Sequence, residues 1–144
     1  VILLASAGNS VTQESKRLME DGKLGQALAM DAVGSAMVVE AMKALTDQVS
    51  TEAQQRGCGT TLRVGPGYTG WHFGDQAILF RFFEDFADLP VTMSDGIMMR
   101  PQKSLLGMVG LNPGAKNAPE IEPCRLCDLK NCAMRKAPFR GADE

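Results

Sequence analysis

The feature that most constrains the fold is a helical stretch that runs from residue 24 to about residue 55. In its second half, apolar side chains recur at three- and four-residue spacing, which predicts a helix with one buried face: Val38, Met42, Leu45 and Val49. Lys43, Asp47 and Glu52 are expected to point outward. The first half, residues 24–39, is apolar nearly all round, which predicts burial on every side.

Shorter elements are predicted on both sides of this helix. Strands are expected at residues 1–6, 60–64, 91–93 and 105–111, and helices at residues 10–21 and 75–86. In the last of these helices, Ile78, Phe82 and Phe86 share one face. Gly57 is expected to end the long helix, and beyond residue 112 only cysteines organise the chain. The predicted fold class is α/β (α+β): one domain over residues 1–112 and a Cys-rich tail over residues 113–144.

Composition excludes several functional classes. The 144 residues, 44% of them apolar, suffice for a single core. A net charge of −2, with Lys and Arg scattered along the chain, predicts no nucleic-acid partner. No apolar run reaches the length that spans a bilayer, so we expect a soluble protein with no membrane partner. Because the chain begins at Val1 and not Met, we expect it to be the interior of a longer polypeptide.

A glycine-flanked loop is the first candidate site. It reads Arg-Val-Gly-Pro-Gly-Tyr over residues 63–68, directly after a predicted strand. Such a loop exposes backbone groups, Arg63 can pair with a carboxylate, and Tyr68 offers a flat face with a polar tip. These features suit a small zwitterion beside a planar ring. The alternative is structural, with a strand, a tight turn and a helix in which Trp71 belongs to the core.

Several segments in the same order resemble the activation domain of cobalamin-dependent methionine synthase. They are Leu-Ala-Met-Asp-Ala-Val-Gly-Ser at residues 28–35, the loop at 63–68 with Trp71 and Gln76, and Met-Met-Arg-Pro-Gln-Lys-Ser at 98–104. The resemblance covers residues 1–111. It implies a single C-shaped domain with a bent, twisted β-sheet, and a shallow groove that binds S-adenosylmethionine beside the corrinoid of a partner domain.

The resemblance also implies roles for individual residues. Arg63 would hold the methionine carboxylate, the backbone at Gly65 would contact the ligand, and Tyr68 would lie between ligand and corrin. Gly67 and Trp71 complete the candidate cofactor-binding set.

The chain departs from the family pattern in two places. Val109 stands where the family has a groove tyrosine, which removes one contact to S-adenosylmethionine. The loop after Tyr68 continues Thr-Gly-Trp-His-Phe, as in small stand-alone homologues. His72 in that loop is interpreted either as an axial ligand or proton relay, or as an ordinary loop residue.

The tail contains a C-x2-C-x4-C array made of Cys124, Cys127 and Cys132. Thiolates at this spacing can bind one metal ion or one edge of a cluster, and Cys58 is the candidate fourth ligand. An iron–sulfur cluster of the 4Fe–4S type is favoured over zinc, because zinc is redox-inert and reactivation of an oxidised corrinoid needs an electron. The remaining alternative is a set of free or disulfide-bonded thiols. Three cysteines crowded into one short segment favour a reducing cytoplasm.

The sequence therefore predicts reductive reactivation of a cobalamin-dependent methyltransferase. The chain would dock on a corrinoid-binding protein or domain, present residues 63–68 to the corrin, and supply S-adenosylmethionine or an electron. The rival interpretation is a non-catalytic scaffold subunit whose Cys tail binds zinc or a cluster and serves only assembly.

Overall fold

A computed structural model describes residues 1–119, 123–125, 127, 129, 131–132 and 135–138. It shows mixed helices and short antiparallel strands, so the α+β class is confirmed. In chain order the elements are β1 (Ile2–Ser6), α1 (Ser10–Glu20), α2 (Leu24–Gln55), β2 (Cys58–Thr60), α3 (Gln76–Phe80), β3 (Thr92–Ser94), β4 (Met98–Arg100), β5 (Ser104–Met108) and β6 (Leu111–Pro113). Within the described residues, no helix is long and apolar enough to cross a membrane.

The second half of α2 supplies the main core, as its apolar spacing predicts. Val38 and Met42 pack against Leu3 and Ala5 of β1 and against Val109, and two partly buried residues of α2 join them: Leu45 and Val49. Met42 and Val109 have no exposed surface. Gly57 follows the helix with φ +71, a left-handed conformation that glycine adopts without steric cost and that ends helices.

The first half of α2 is helical but is not buried on all sides, so that expectation is wrong. Within residues 24–39, Leu28 is 73% exposed and Met37 is 47% exposed. The side of α2 that is buried there meets α1 through small residues. The Ser15 hydroxyl donates to the Ala27 carbonyl at 2.8 Å, and a Cβ on Gly34 would lie 3.0 Å from Val11 Cγ1. Because α1 covers only this side, the apolar residues on the other sides face solvent.

Strand β5 lies between two partners. On one side it pairs antiparallel with β1, where Met108 lies opposite Ile2. On its other side, Met108 forms an isolated bridge with Val64. After the turn at Val109 and Gly110 the chain continues as β6, which pairs with β2. Among the described residues the strands form three separate two-stranded ladders, β1–β5, β2–β6 and β3–β4, whereas the resemblance implies one bent, twisted β-sheet.

The predicted strand at residues 60–64 is interrupted. Thr60 lies opposite Leu111 and Val64 opposite Met108, so three residues on one side face two on the other. This extra residue makes a bulge, at which the Gly110 N–H donates to the Thr61 hydroxyl at 2.9 Å. The bulge consists of residues 61–63. It therefore fixes the position of Arg63 relative to β5.

A second core cluster lies on the other side of β5. Leu79, Phe80, Val91, Met99 and Leu106 form its buried part. The helix predicted for residues 75–86 is shorter in the structure, because α3 gives way to a 3₁₀ turn at Arg81–Phe83. The predicted face of Ile78, Phe82 and Phe86 is exposed. The Met-rich turn expected after residue 93 contains strand β4, which forms a hairpin with β3.

Candidate functional site

A cavity of about 420 Å³ lies between α2 and the segment around Arg63. Its lining comes from three parts of the chain: Val39, Lys43, Thr46, Asp47 and Ser50 from α2; residues 60–64 and Tyr68 from the loop side; and Asn117 with Ala118 from the segment after β6. The structure therefore brings together two of the predicted site residues, Arg63 and Tyr68, on one concave surface.

The α2 wall follows from helix geometry. Val39, Lys43, Asp47 and Ser50 are spaced by three or four residues, so they share one face of the helix. The sequence predicted that Lys43 and Asp47 point away from the core, and they are exposed. Their outward face becomes a cavity wall because residues 60–64 and 117–118 lie opposite it. Periodicity identifies this face, but only the tertiary arrangement shows that it is part of a site.

Arg63 is held by its aliphatic stem. A Cβ on Gly107 of β5 would meet Arg63 Cγ at 3.3 Å and Cδ at 3.4 Å, so the stem packs on bare backbone there. Among the described residues, the guanidinium has no ion pair and no hydrogen-bond acceptor. Arg63 is partly buried at the cavity wall, and its guanidinium, which has no acceptor among the described residues, is suited to binding a carboxylate.

The backbone of the loop requires glycine at both Gly65 and Gly67. A Cβ on Gly65 would lie 2.8 Å from the Leu106 carbonyl oxygen, so only glycine permits this approach to β5. Gly67 has φ +93, and its N–H donates to the Trp71 carbonyl at 3.0 Å. The Tyr68 N–H donates back to the Gly65 carbonyl at 3.1 Å. Neither glycine lines the cavity; together they fix the turn that places Tyr68 at its edge.

Trp71 and His72 lie outside the cavity. Trp71 is partly buried and packs against the second core cluster, so its position matches the structural interpretation of this loop. His72 is exposed, and its Nδ1 accepts a hydrogen bond from the Gly74 N–H at 3.1 Å. That contact caps the 3₁₀ turn Phe73–Asp75. The structure thus gives His72 a local capping role.

One side of the cavity is a hydrogen-bonded network that the sequence did not predict. The hydroxyls of Ser50 and Thr60 lie 3.0 Å apart. The Thr60 N–H donates to Asn117 Oδ1 at 3.0 Å, and the Ala118 N–H donates to the Thr60 carbonyl at 2.7 Å. Asn117 and Ala118 therefore lie along the edge of β2 that does not pair with β6, and both line the cavity. Sequence patterns do not indicate this packing, because residues 114–118 have neither periodicity nor a known motif.

The four cysteines are free and partly buried. Cys58 lies in β2, and its thiol is 3.8 Å from the Arg56 carbonyl oxygen. Cys124 Sγ accepts a hydrogen bond from the Lys136 N–H at 3.4 Å. In the part of the chain that the structure describes, no three His, Cys, Asp or Glu side chains are close enough to hold one metal ion. The thiols suit a metal by their chemistry, but they do not converge in this arrangement.

No model of a known protein family matches the sequence, and no curated protein matches it.

Proposed function

We propose that this chain docks on a cobalamin-binding domain and takes part in reductive reactivation of the corrinoid of a cobalamin-dependent methyltransferase. The observation that carries the proposal is the cavity shared by Arg63 and Tyr68. The sequence motifs that resemble the methionine synthase activation domain include these two residues, and the fold brings them to one surface. The single C-shaped domain that the resemblance implies is part of the same proposal.

The cavity has the size and chemistry of a small-molecule site. Its volume of about 420 Å³ lies within the range of ligand pockets in proteins. Arg63 on one wall provides a fixed positive charge, and Asp47 on the α2 wall provides a carboxylate. A zwitterion with a further positive centre, such as S-adenosylmethionine, would place its carboxylate on Arg63 and its cationic groups towards Asp47. Val109 is buried in the main core and does not line the cavity, so Asp47 is a separate contact from the tyrosine contact of the family pattern.

Tyr68 is the proposed corrin-facing residue. It lies at the cavity edge and is 36% exposed, so one part of its ring lines the cavity and another part reaches solvent. A flat aromatic side chain in this position can cover the planar face of a corrin that a partner domain presents. The chain's own residues then bind and orient the small ligand, and Tyr68 closes the site against water.

Replacing Arg63 by Ala should weaken S-adenosylmethionine binding by about 2–3 kcal/mol, because a charge-assisted hydrogen-bond pair to the carboxylate is lost. Isothermal titration calorimetry on the whole chain measures this directly. The control is Arg56→Ala, which removes the same charge just after α2 at a position that does not line the cavity. Equal weakening by both variants would mean that net charge, and not an Arg63 clamp, governs binding.

We further propose that Cys124, Cys127 and Cys132, with Cys58 as fourth ligand, bind one metal centre, preferably an iron–sulfur cluster. Support comes from the C-x2-C-x4-C spacing, the free thiols and the N–H donor at Cys124 Sγ, since hydrogen bonds to sulfur accompany cluster ligation. When bound, such a cluster would supply single electrons. Because the thiols do not converge in the structure, the segment must close around the metal as it binds.

Metal analysis of the anaerobically purified chain should find about four Fe for a 4Fe–4S cluster, or about one Zn for a tetrahedral thiolate site. The iron form should show a visible absorption band that dithionite bleaches. Changing Cys124 and Cys127 together to Ser should abolish metal retention. If neither metal is present and all four thiols react freely with a small reagent, the metal centre is excluded.

The scaffold function is the second candidate, and the exposed apolar side chains of α2 favour it. Leu24, Leu28, Val33 and Met37 are large apolar side chains that stay exposed in the described part of the chain, and such side chains are available to a protein partner. A scaffold needs no redox-active metal, so zinc would serve it as well as a cluster. A scaffold would bind a cobalamin domain equally well whether its corrinoid is oxidised or reduced. A reactivation partner would bind the two oxidation states with different affinities.

A further inference from the structure

The side chain of Arg135 lies at the centre of the cysteine segment. Its Nη1 donates to the carbonyls of Cys124 at 2.7 Å and Ala137 at 3.1 Å. Its Nη2 donates to the carbonyls of Cys127 at 2.8 Å and Leu129 at 2.6 Å. The two terminal nitrogens of a guanidinium carry four N–H donors, so all of them are used.

The backbone of Arg135 reaches the third cysteine. Its N–H donates to the Cys132 carbonyl at 3.2 Å. One residue therefore binds the main chain of all three cysteines in the array, two through its side chain and one through its backbone. The next residue adds a contact to sulfur itself, since the Lys136 N–H donates to Cys124 Sγ.

We propose that Arg135 is the positioning residue of the cysteine array, which gathers the backbones of Cys124, Cys127 and Cys132 so that their thiolates can close on one thiophilic metal centre. The proposal rests on the metal centre proposed above and adds a residue outside the ligand set. The guanidinium binds carbonyls and not sulfur, so it shapes the loop without competing for the thiolates.

Arginine is required for this role by its geometry. A planar guanidinium fixes the directions of its donors, and so the relative positions of the carbonyls that it binds. A lysine in its place keeps the positive charge but has three donors on one freely rotating nitrogen. Arg135→Lys thus separates geometry from charge. Arg125 provides the matched control, because it lies in the same segment and makes no such carbonyl contacts among the described residues.

The first arm of the test is a Co²⁺ titration of the reduced whole chain against a competing chelator. Groups that orient metal ligands typically contribute 10–100-fold in affinity, so Arg135→Lys should weaken Co²⁺ binding by about that factor and reduce the thiolate-to-cobalt absorption. Arg125→Lys should bind as the wild type does. If Arg135→Lys binds Co²⁺ with unchanged affinity and spectrum, the positioning role is excluded while the metal centre stands.

The second arm needs no metal. In a Cys58→Ser background, the equilibrium between tail thiols and an intramolecular disulfide is measured in glutathione buffers, which reports how closely the thiols are held. Arg135→Lys should shift this equilibrium towards free thiols by about tenfold or more, whereas Arg125→Lys should not. An unchanged equilibrium overturns the proposal. If wild type binds no Co²⁺ but the disulfide equilibrium still depends on Arg135, the metal centre fails and the positioning role survives.

Discussion

Replacing Met42 by Ala should lower the free energy of unfolding by about 2–5 kcal/mol, the usual cost of removing a large buried side chain from a core. Met42 has no exposed surface, and it packs where α2 meets β1 and Val109. The helix cannot shift to fill the space, because neighbouring core residues at Val38, Leu45 and Val49 hold it in register. Urea unfolding followed by far-ultraviolet circular dichroism measures the change.

Met37 is the matched control on the same helix. It is 47% exposed, so Met37→Ala should change stability by about 0.5 kcal/mol or less. Met37→Asp tests the sequence-based expectation directly, since a buried position predicts a loss of several kcal/mol and the structure predicts less than about 1 kcal/mol. If substitutions at Met37 and Met42 lower the free energy of unfolding by equally large amounts, the first half of α2 is buried at Met37 and the description of that face is wrong.

Replacing Gly59 by Ala should destabilise the protein by about 1–3 kcal/mol or more, as expected for overpacking against rigid backbone. A Cβ on Gly59 would lie 2.7 Å from the Ala115 carbonyl oxygen and still nearer to the Lys116 carbonyl. Because these are main-chain atoms, residues 114–118 must move away from β2. That movement breaks the Thr60 contact to Asn117 and opens one wall of the cavity.

Gly25→Ala is the control for Gly59. A Cβ there has nothing within 4 Å, and the residue lies in the first turn of α2. The substitution should therefore be neutral or stabilise by up to about 1 kcal/mol, since it restricts the unfolded chain. If Gly59→Ala has the same effect as Gly25→Ala, residues 114–118 do not pack on β2 as described, and the cavity loses that wall.

The sequence predicted the parts of the fold that depend on local pattern. The period of apolar residues after Val38 identified the buried face of α2, and the run at residues 1–6 gave strand β1. The first half of α2 was mispredicted because apolar composition cannot tell burial from exposure. Burial there depends on what packs against the helix, and α1 covers only one side.

The candidate site was predicted in part. Arg63 and Tyr68 belong to a recognisable motif, and both line the cavity. Asp47 and Asn117 were missed, because their roles depend on long-range packing of α2 and of residues 114–118 around β2. Arg135 was not among the predicted site residues. Its contacts to three cysteine backbones could not be read from spacing, since they depend on how the tail folds back on itself.

We claim, as proposed above, that the face around Tyr68 docks on a cobalamin-binding domain. Docking can be measured by calorimetric titration of the whole chain with the cobalamin domain of a methionine synthase, loaded with cob(II)alamin. We expect measurable binding that Tyr68→Ala weakens by about 2 kcal/mol, roughly 30-fold, as for an aromatic anchor at an interface. Phe82→Ala, another exposed aromatic outside the cavity lining, should leave binding unchanged. Absence of binding by the wild type, or equal binding by wild type and Tyr68→Ala, would contradict the claim.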